Sequence, residues 1–277
     1  MTLFTTLQSL VPQQKISEIA GRLAQSRHPM VKKTFIRTFA SVYGIKLEEY
    51  ARGSFSQYDS FNDFFTRELK DGARKIDDDP DALICPADGM ISQLGQIDKD
   101  QILQAKGKSY EVGQLLADYE LGKAMQEGSF VTVYLAPTNY HRVHMPFDGT
   151  LVETIYVPGQ LFSVNNETAE NITDLFARNE RCVCVFDTEF GKACVVLVGA
   201  MIVAGIETVA TGKIKRSDRL QRQTHQMTLK KGDELGRFYL GSTAIVVLPK
   251  SAGMAWGPGL YNSVPVTMGQ RLGTFLQ

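Results

Sequence analysis

The sequence predicts an α+β protein in which amphipathic N-terminal helices precede a β-rich, largely antiparallel domain. Two observations support this class: apolar residues recur at helical spacing as far as Tyr43, whereas from Leu83 onward short β-prone runs alternate with Gly and Pro breaks. A charged loop around Asp79 separates the two patterns. We therefore expect a helical region at residues 1–70 and a β-rich domain at residues 71–277, which is long enough for a sizeable core.

The N-terminal region predicts three amphipathic helices, of which the third runs from Pro29 to Tyr43 and stops at Gly44. The second is expected to begin at Pro12, because proline suits the first turn of a helix. Apolar side chains recur every three or four residues in each helix, at Leu3, Phe4, Leu7, Leu10 and Val11, at Ile16, Ile19, Ala20 and Leu23, and at Val31, Phe35, Phe39 and Val42.

The apolar stripe of the third helix has two interpretations. It either docks on the protein core or lies in a lipid interface, with Lys32, Lys33 and Arg37 on the other faces toward lipid phosphates. Residues 1–56 carry eight basic and three acidic side chains, although the whole chain is formally neutral. This asymmetry indicates an anionic partner, with anionic lipid and nucleic acid as the candidates.

The elements that follow are short. A helix is expected to start near Ser60, a residue type that caps helix N-termini. Small helices are expected at residues 114–119 and 169–176. The pattern predicts strands at residues 89–94, 129–135, 149–157, 181–186, 193–203, 205–210, 238–240 and 244–248.

The cysteines and the apolar runs bear on the compartment. Four cysteines lie in apolar stretches without the spacing of a disulfide framework, so we expect a reducing, cytoplasmic environment. Residues 1–11 contain no Lys or Arg, unlike a signal peptide. The longest nearly uncharged apolar run, residues 193–206, is shorter than the roughly 20 residues of a spanning helix. Any membrane contact is therefore expected to be peripheral.

Gly241-Ser242 places a hydroxyl beside the least hindered carbonyl that a peptide chain offers. The pair lies between two apolar, β-prone runs. It is either a tight turn, which is the common role of Gly-Ser, or the site of an intramolecular acyl shift.

Two of the four histidines lie close together, at His141 and His144. We expect a single helical turn, opened at Pro137 and ended at Pro146, which would place both imidazoles on one side. Asp88 precedes Gly89 in a dipeptide typical of turns. A serine, a histidine and a carboxylate in one domain can also form a triad, in which the carboxylate orients the histidine and the histidine deprotonates the serine.

Other chemistries find little support in the sequence. No third ligand accompanies the two histidines, so no metal is expected, and Cys182 and Cys184 are interpreted as core residues. The Gly-rich phosphate loop and the Gly-x-Ser-x-Gly elbow are also missing.

Five segments together resemble the phosphatidylserine decarboxylase family, in its bacterial type. They cover residues from about 60 to 250 in the family's order: Phe64-Phe65-Thr66-Arg67-Glu68-Leu69, Pro86-Ala87-Asp88-Gly89, Tyr140-His141-Arg142-Val143-His144-Met145-Pro146, Gly159-Gln160-Leu161-Phe162-Ser163-Val164-Asn165 and Leu240-Gly241-Ser242-Thr243.

The resemblance implies a self-processing carboxy-lyase that converts phosphatidylserine to phosphatidylethanolamine and CO2 at a membrane surface. Asp88, His144 and Ser242 would form the triad that cleaves the chain between Gly241 and Ser242, leaving 241-residue and 36-residue chains that stay associated. Ser242 would become a covalent pyruvoyl cofactor, whose carbonyl acts as an electron sink. His141 would serve the decarboxylation step, by positioning the substrate or by relaying a proton.

The family also suggests a substrate pocket, partners and a location. We expect the pocket to be lined by Tyr134, Tyr140, Phe162, Ser163, Val164 and Asn165. The two-chain unit is expected to form a homodimer and to bind the cytoplasmic face of the cell membrane as a peripheral protein, without nucleic acid or metal. The basic helices would then hold it on anionic lipid.

Two alternatives stay open at this point. One is a pyruvoyl-dependent decarboxylase of a soluble amino acid that uses the same Gly241-Ser242 processing. The other is a non-catalytic lipid-binding protein in which Gly-Ser is only a turn.

Overall fold

The computed structural model describes residues 13–200, 205–239 and 241–276, and the fold is α+β as predicted. The helical region contains α1 (Gln13–Ala24), α2 (Pro29–Tyr43) and α3 (Phe61–Phe65). Shorter helices lie between strands further along the chain: α4 (Val112–Leu116), α5 (Tyr119–Ala124), α6 (Asn166–Asn171) and α7 (Leu175–Arg178).

An eight-stranded antiparallel sheet forms the centre of the molecule. In spatial order its strands are β12 (Gln221–Leu229), β7 (Gly149–Val157), β8 (Arg181–Thr188), β9 (Gly191–Gly199), β14 (Ser242–Leu248), β5 (Ser129–Leu135), β2 (Gly89–Gln96) and β16 (Pro265–Val266). Because β14 is hydrogen-bonded on both sides, it is an interior strand, and all seven of its residues are buried.

Three smaller sheets complete the β-rich part, and all of their strand pairs are antiparallel. The first contains β11 (Gly212–Lys213), β10 (Ile206–Thr208), β13 (Glu234–Phe238) and β6 (Arg142–His144); the second contains β1 (Ala82–Ile84), β17 (Arg271–Phe275) and β15 (Met254–Trp256); and the third is a hairpin of β3 (Gln101–Ala105) and β4 (Lys108–Glu111).

The central sheet is covered on both faces, as the alternation along β14 shows. Ala244 and Val246 belong to one apolar cluster, whereas Ile245 and Val247 belong to another. Successive side chains of a strand point to opposite faces, so the two clusters are the cores on either side of the sheet. A run that is apolar at nearly every position is what a strand buried on both faces requires.

Helix α2 has the predicted bounds and ends at Gly44, whose φ of 62° is the left-handed conformation of a helix C-cap. The helix docks through Ile36 and Ala40 and also through Phe39 of the apolar stripe, whose ring centroid lies 5.6 Å from that of Phe65. Within that stripe Phe35 is 39% exposed and Val42 is 71% exposed. Phe39 therefore docks on the core, whereas Phe35 and Val42 face outward, so each interpretation describes part of the stripe.

Several predicted boundaries were wrong, and some predictions fall outside the described residues. The strand expected at 238–240 ends at Phe238, because the ladder with β10 and β6 lies earlier, at Glu234–Phe238. The helix expected at 169–176 is two helices with a break between them. The first predicted helix, residues 3–11, and the end of the strand expected at 193–203 lie outside the described part of the chain.

The docking face of α2 can be tested with a pair of alanine substitutions. Ile36→Ala removes a side chain that is 1% exposed and should lower the free energy of unfolding by about 2–5 kcal/mol, because it leaves a cavity. Val42→Ala should change it by less than about 0.5 kcal/mol. Urea unfolding measures both, and a Val42→Ala effect as large as that of Ile36→Ala would contradict the observed orientation.

Candidate active site

Ser242 is the first residue of β14 and lies opposite Leu135 of β5 and Gly199 of β9. The residue is fully buried, and within the described structure its hydroxyl has no hydrogen-bond partner. Buried hydroxyls are normally satisfied, so an orphaned one calls for an explanation.

Gly241 precedes it in a conformation that favours glycine. Its φ is 34°, in the left-handed region, and a Cβ added there would meet no described atom within 4 Å. Among the described residues, the need for glycine therefore comes from the backbone angle and not from crowding.

Asp88 lies at the same end of the sheet as Ser242. Gly89 begins β2, and a Cβ there would stand 2.3 Å from the Tyr134 carbonyl oxygen, so only glycine permits this close approach to β5. Because β2 and β14 flank β5 on its two sides, the Asp88 and Ser242 backbones are about 10 Å apart at the usual strand spacing.

The Asp88 carboxylate is held by partners that the sequence did not suggest. Arg74 donates to it from Nε at 3.0 and 3.2 Å and from Nη2 at 2.6 Å, and the Met268 amide donates to Oδ1 at 2.9 Å. Asp88 therefore makes an ion pair with a residue 14 positions earlier in the chain.

The histidine segment is not the predicted helical turn. Residues 142–144 form β6, because they pair with β13, and positions 141 and 144 therefore do not share a helical face. Nδ1 of His144 lies 2.7 Å from the Gly232 carbonyl oxygen, and Nε2 lies 2.9 Å from the Tyr140 hydroxyl. Because a carbonyl can only accept, Nδ1 carries the hydrogen and the Tyr140 hydroxyl donates to the Nε2 lone pair.

The protonation of His144 is set mainly by burial, which lowers its pKa. The hydrogen bond to Gly232 and the negative charges of Glu234 and Asp88 oppose this shift, and Arg142 adds to it. The imidazole is therefore neutral at pH 7, with Nε2 as its basic nitrogen.

Asp88, His144 and Ser242 lie around one corner of the molecule, but no hydrogen bond joins any two of them within the described structure. Two connections bring them near one another. The His144 amide donates to the Pro86 carbonyl at 2.8 Å, and β5 links the Asp88 end of β2 to Ser242.

His141 is fully buried against the helical region. Its ring centroid is 4.1 Å from that of Phe65, and its Nδ1 donates to the Asn139 carbonyl at 2.8 Å. Nε2 is buried without a partner in the described structure. Desolvation lowers the pKa of His141 to about 3, and the nearby Arg67 charge contributes to this shift.

The predicted pocket residues occupy varied positions. Tyr134 lies opposite Thr243, directly after Ser242, and burial raises its pKa. Tyr140 is buried in the apolar cluster of the helical region, and desolvation raises the pKa of its hydroxyl. Its contact with Nε2 of His144 makes it a direct neighbour of the proposed base.

The segment of residues 162–165 packs mostly into the second core. Phe162 and Val164 are buried there, next to Ser163, and Asn165 caps α6 by accepting from the Thr168 amide at 2.9 Å. Asn179 ties the segment to the site, because its Nδ2 donates to the carbonyls of Phe162 and Gly199, both at 2.9 Å.

Arg67 also supports the site, although the sequence did not suggest a role for it. It is 1% exposed, lies 4.3 Å from the Tyr50 ring centroid, and donates to the Thr138 carbonyl at 3.1 Å. The sequence contains one sign of this role. Arg67 directly follows Phe64-Phe65-Thr66, and a cation in an apolar stretch indicates a buried arginine that needs carbonyl partners.

No group of three or more His, Cys, Asp or Glu side chains among the described residues is arranged to hold a metal ion. No helix among them is long and apolar enough to cross a membrane.

The burial of His141 predicts a pH-dependent stability. With a pKa of about 3 when folded and 6.5 as the ordinary value, the unfolded chain binds more protons between these limits, so stability falls as the pH drops below 6.5. The test uses a Ser242→Ala background, which should keep the chain intact. In it, the chain with His141 is compared with the His141→Gln variant. The difference between their free energies of unfolding should shift against His141 by about 1 kcal/mol from pH 6 to pH 5. Urea unfolding at both pH values measures it, and an unchanged difference would argue against the buried neutral imidazole.

Comparison with known proteins identifies relatives of the whole chain. A family model described as phosphatidylserine decarboxylase matches residues 61–274, and a second, described as PSD, matches residues 3–44. The chain is 66% identical over 272 residues to the phosphatidylserine decarboxylase proenzyme of Psychrobacter arcticus, with 98% of each chain covered. It is 55% identical over 271 residues to the proenzyme of the same name from Acinetobacter baumannii, covering 98% of this chain and 95% of the relative.

Proposed function

The chain belongs to the phosphatidylserine decarboxylase family, and we propose that it is a proenzyme that cleaves itself between Gly241 and Ser242 and then converts phosphatidylserine to phosphatidylethanolamine and CO2. One observation of the structure carries the processing step. The Ser242 hydroxyl is buried without a described partner, directly after a glycine with a left-handed φ.

Self-cleavage begins with attack of Ser242 Oγ on the Gly241 carbonyl carbon, while Nε2 of His144 takes the hydroxyl proton. The peptide C–N bond breaks as the nitrogen gains a proton, which leaves an ester. Elimination of the Gly241 carboxylate gives dehydroalanine, and its tautomer reacts with one water and releases ammonia. The neutral state of His144 suits it to this role, because its lone pair is on Nε2.

Tyr140 occupies the nitrogen of His144 that the proposed proton transfer from Ser242 requires. Its hydroxyl donates to Nε2 of His144, the atom that must accept the Ser242 proton. Processing therefore requires that Tyr140 release Nε2 or pass the proton on, and its raised pKa keeps the hydroxyl protonated in either case.

Ser242 is the residue from which the pyruvoyl group forms, and its surroundings fit that group. Strand pairing on both sides fixes the start of β14. We further propose that Nε2 of His141, which has no partner among the described residues, is a hydrogen-bond acceptor of this site. The pyruvoyl carbonyl supplies an electron sink for loss of the substrate carboxylate. With Nδ1–H bound to Asn139, His141 has no hydrogen to donate from Nε2, which supports a role in positioning the substrate amine over a role as proton donor.

The two chains produced by cleavage are expected to stay together. Residues 242–277 supply β14 in the centre of the main sheet, β16 at its edge, and β15 and β17 in a second sheet. Separation would expose the apolar residues of β14 and break its ladders to β5 and β9. The unit is further proposed to form a homodimer.

Exposed apolar side chains of the helical region support docking on a membrane surface, which is further proposed to be the cytoplasmic face of the cell membrane. The exposed apolar side chains of this region are Ile19, Leu23, Met30, Phe35, Val42 and Tyr43. A cavity of about 440 Å³ with almost wholly apolar walls lies among them, between α1, α2 and α3. Exposed Lys33 and Arg37 make no ion pair within the described part of the chain, so both are available to lipid phosphates.

This surface also bears on the alternative substrate. A decarboxylase of a soluble amino acid has no need of a cluster of exposed apolar side chains, whereas an enzyme that takes its substrate from a bilayer does.

Processing is tested by denaturing mass spectrometry after incubation under native conditions. The unaltered chain should separate into 241-residue and 36-residue chains, while Ser242→Ala and His144→Ala should stay intact at 277 residues. His141→Ala should cleave but decarboxylate phosphatidylserine poorly. An unaltered chain that stays whole would overturn the proposal, and an uncleaved His141→Ala would assign the two histidines differently.

Membrane docking is tested with a matched pair of valines. Val42 is 71% exposed on α2 and Val209 is 43% exposed after β10. Val42→Glu should weaken co-sedimentation with anionic phosphatidylglycerol vesicles about tenfold, because a carboxylate enters an apolar, anionic interface, and Val209→Glu should have little effect. Equal effects of the two substitutions would place the lipid contact elsewhere.

A further inference from the structure

Both oxygens of the Asp88 carboxylate accept hydrogen bonds. Oδ1 accepts from Arg74 Nε and from the Met268 amide, and Oδ2 accepts from Arg74 Nη2 at 2.6 Å. Two parallel N–H donors from one guanidinium fix both the distance and the plane of a carboxylate, which a lysine cannot do.

Arg74 is itself held from three directions. Its side chain is 12% exposed, its Nη1 donates to the Ala73 carbonyl at 2.8 Å, and its Nη2 also contacts Glu49 at 3.0 Å. The hydrogen bond to Asp88 is the main cause that raises the pKa of the guanidinium. Glu49 is largely exposed and belongs to the helical region, so it is the weaker of the two acidic partners.

Asp88 makes no hydrogen bond to His144 within the described structure. The Gly232 carbonyl occupies Nδ1 of His144 and the Tyr140 hydroxyl occupies Nε2. Asp88 acts on the imidazole through its charge, together with Glu234 and against Arg142. The strength of that action depends on where the carboxylate is held.

We propose that Arg74 is the positioning residue of self-processing, which holds Asp88 at its working distance from His144 through a buried, two-pronged ion pair. The inference rests on the proposed role of Asp88 in cleavage. Arg74 does not touch the reacting atoms, and it acts only through the carboxylate.

The test compares Arg74→Gln, Arg74→Lys, Asp88→Asn and the double substitution Arg74→Gln/Asp88→Asn, with Glu49→Gln as a matched control that removes only the exposed partner. Each is purified and incubated, and the rate of cleavage is followed by denaturing mass spectrometry. Decarboxylation of phosphatidylserine is then measured per cleaved chain.

We expect Arg74→Gln to slow cleavage by about 100-fold, the effect of displacing an active-site group by about 1 Å. Arg74→Lys should recover part of the rate, because it restores the charge without the fork. Glu49→Gln should change the rate less than about threefold. Chains of Arg74→Gln that do become cleaved should decarboxylate at the unaltered rate, since a general folding defect would reduce both steps.

The double substitution separates positioning from stability. If Arg74 acts through Asp88, adding Arg74→Gln to Asp88→Asn causes no further slowing of cleavage. The double variant also lacks the unpaired buried Asp88 charge that would destabilise the Arg74→Gln variant. Additive effects, or an Arg74→Gln chain that cleaves at the unaltered rate, would overturn the proposal. Unaltered cleavage in Asp88→Asn would instead remove the proposed function of Asp88 itself.

Discussion

The pairing of β14 on both of its edges is the constraint on which the rest of the structure depends. An interior strand cannot shift its register without breaking two ladders, so Ser242 is fixed opposite Leu135 and Gly199. The same constraint fixes Gly241 at the point where the chain enters the sheet, with a backbone angle that other residues rarely adopt. A reactive hydroxyl placed on a loop would have much more freedom.

The helical region is part of the site as well as a candidate membrane surface. Phe65 packs against the His141 ring, and Arg67 binds the carbonyls of Thr138 and Asn139, the loop that precedes the histidines. The Arg67 guanidinium is buried with carbonyls, aromatic rings and the Tyr50 hydroxyl as its partners and with no described acidic partner, which is costly unless these surroundings are well ordered. The order of the histidine loop and the docking of the helical region therefore depend on each other.

Sequence patterns predicted the regular, apolar elements well. Helix α2 and strands β5 and β7 have the predicted bounds, because a period of 3.6 or a β-prone apolar run marks them. Strand β12, with the sequence QRQTHQMTL, was missed, since an edge strand that is polar on both faces has no such pattern. The fold class could be inferred from the elements that these patterns mark. The register of the strands could not be inferred from them.

The candidate site was predictable in its residues but not in its contacts. The resemblance picked out Ser242, His144, Asp88 and His141, whereas nothing local to Asp88 indicates that Arg74 is its partner. The predicted helical turn failed because pairing with β13 outweighed the local preference of the histidine segment.

The two histidines differ in what surrounds them, although both give Nδ1–H to a main-chain carbonyl. A carbonyl fixes the tautomer without adding the negative charge that a carboxylate would bring, so burial is left to lower both pKa values. His144 keeps a hydroxyl on Nε2 and has acidic neighbours in Glu234 and Asp88, which favour its protonated form during proton transfer. His141 has an orphaned Nε2 within the described structure, and burial and the nearby Arg67 charge disfavour its protonation. The same side chain is thus suited to proton transfer at one position and to accepting a hydrogen bond at the other.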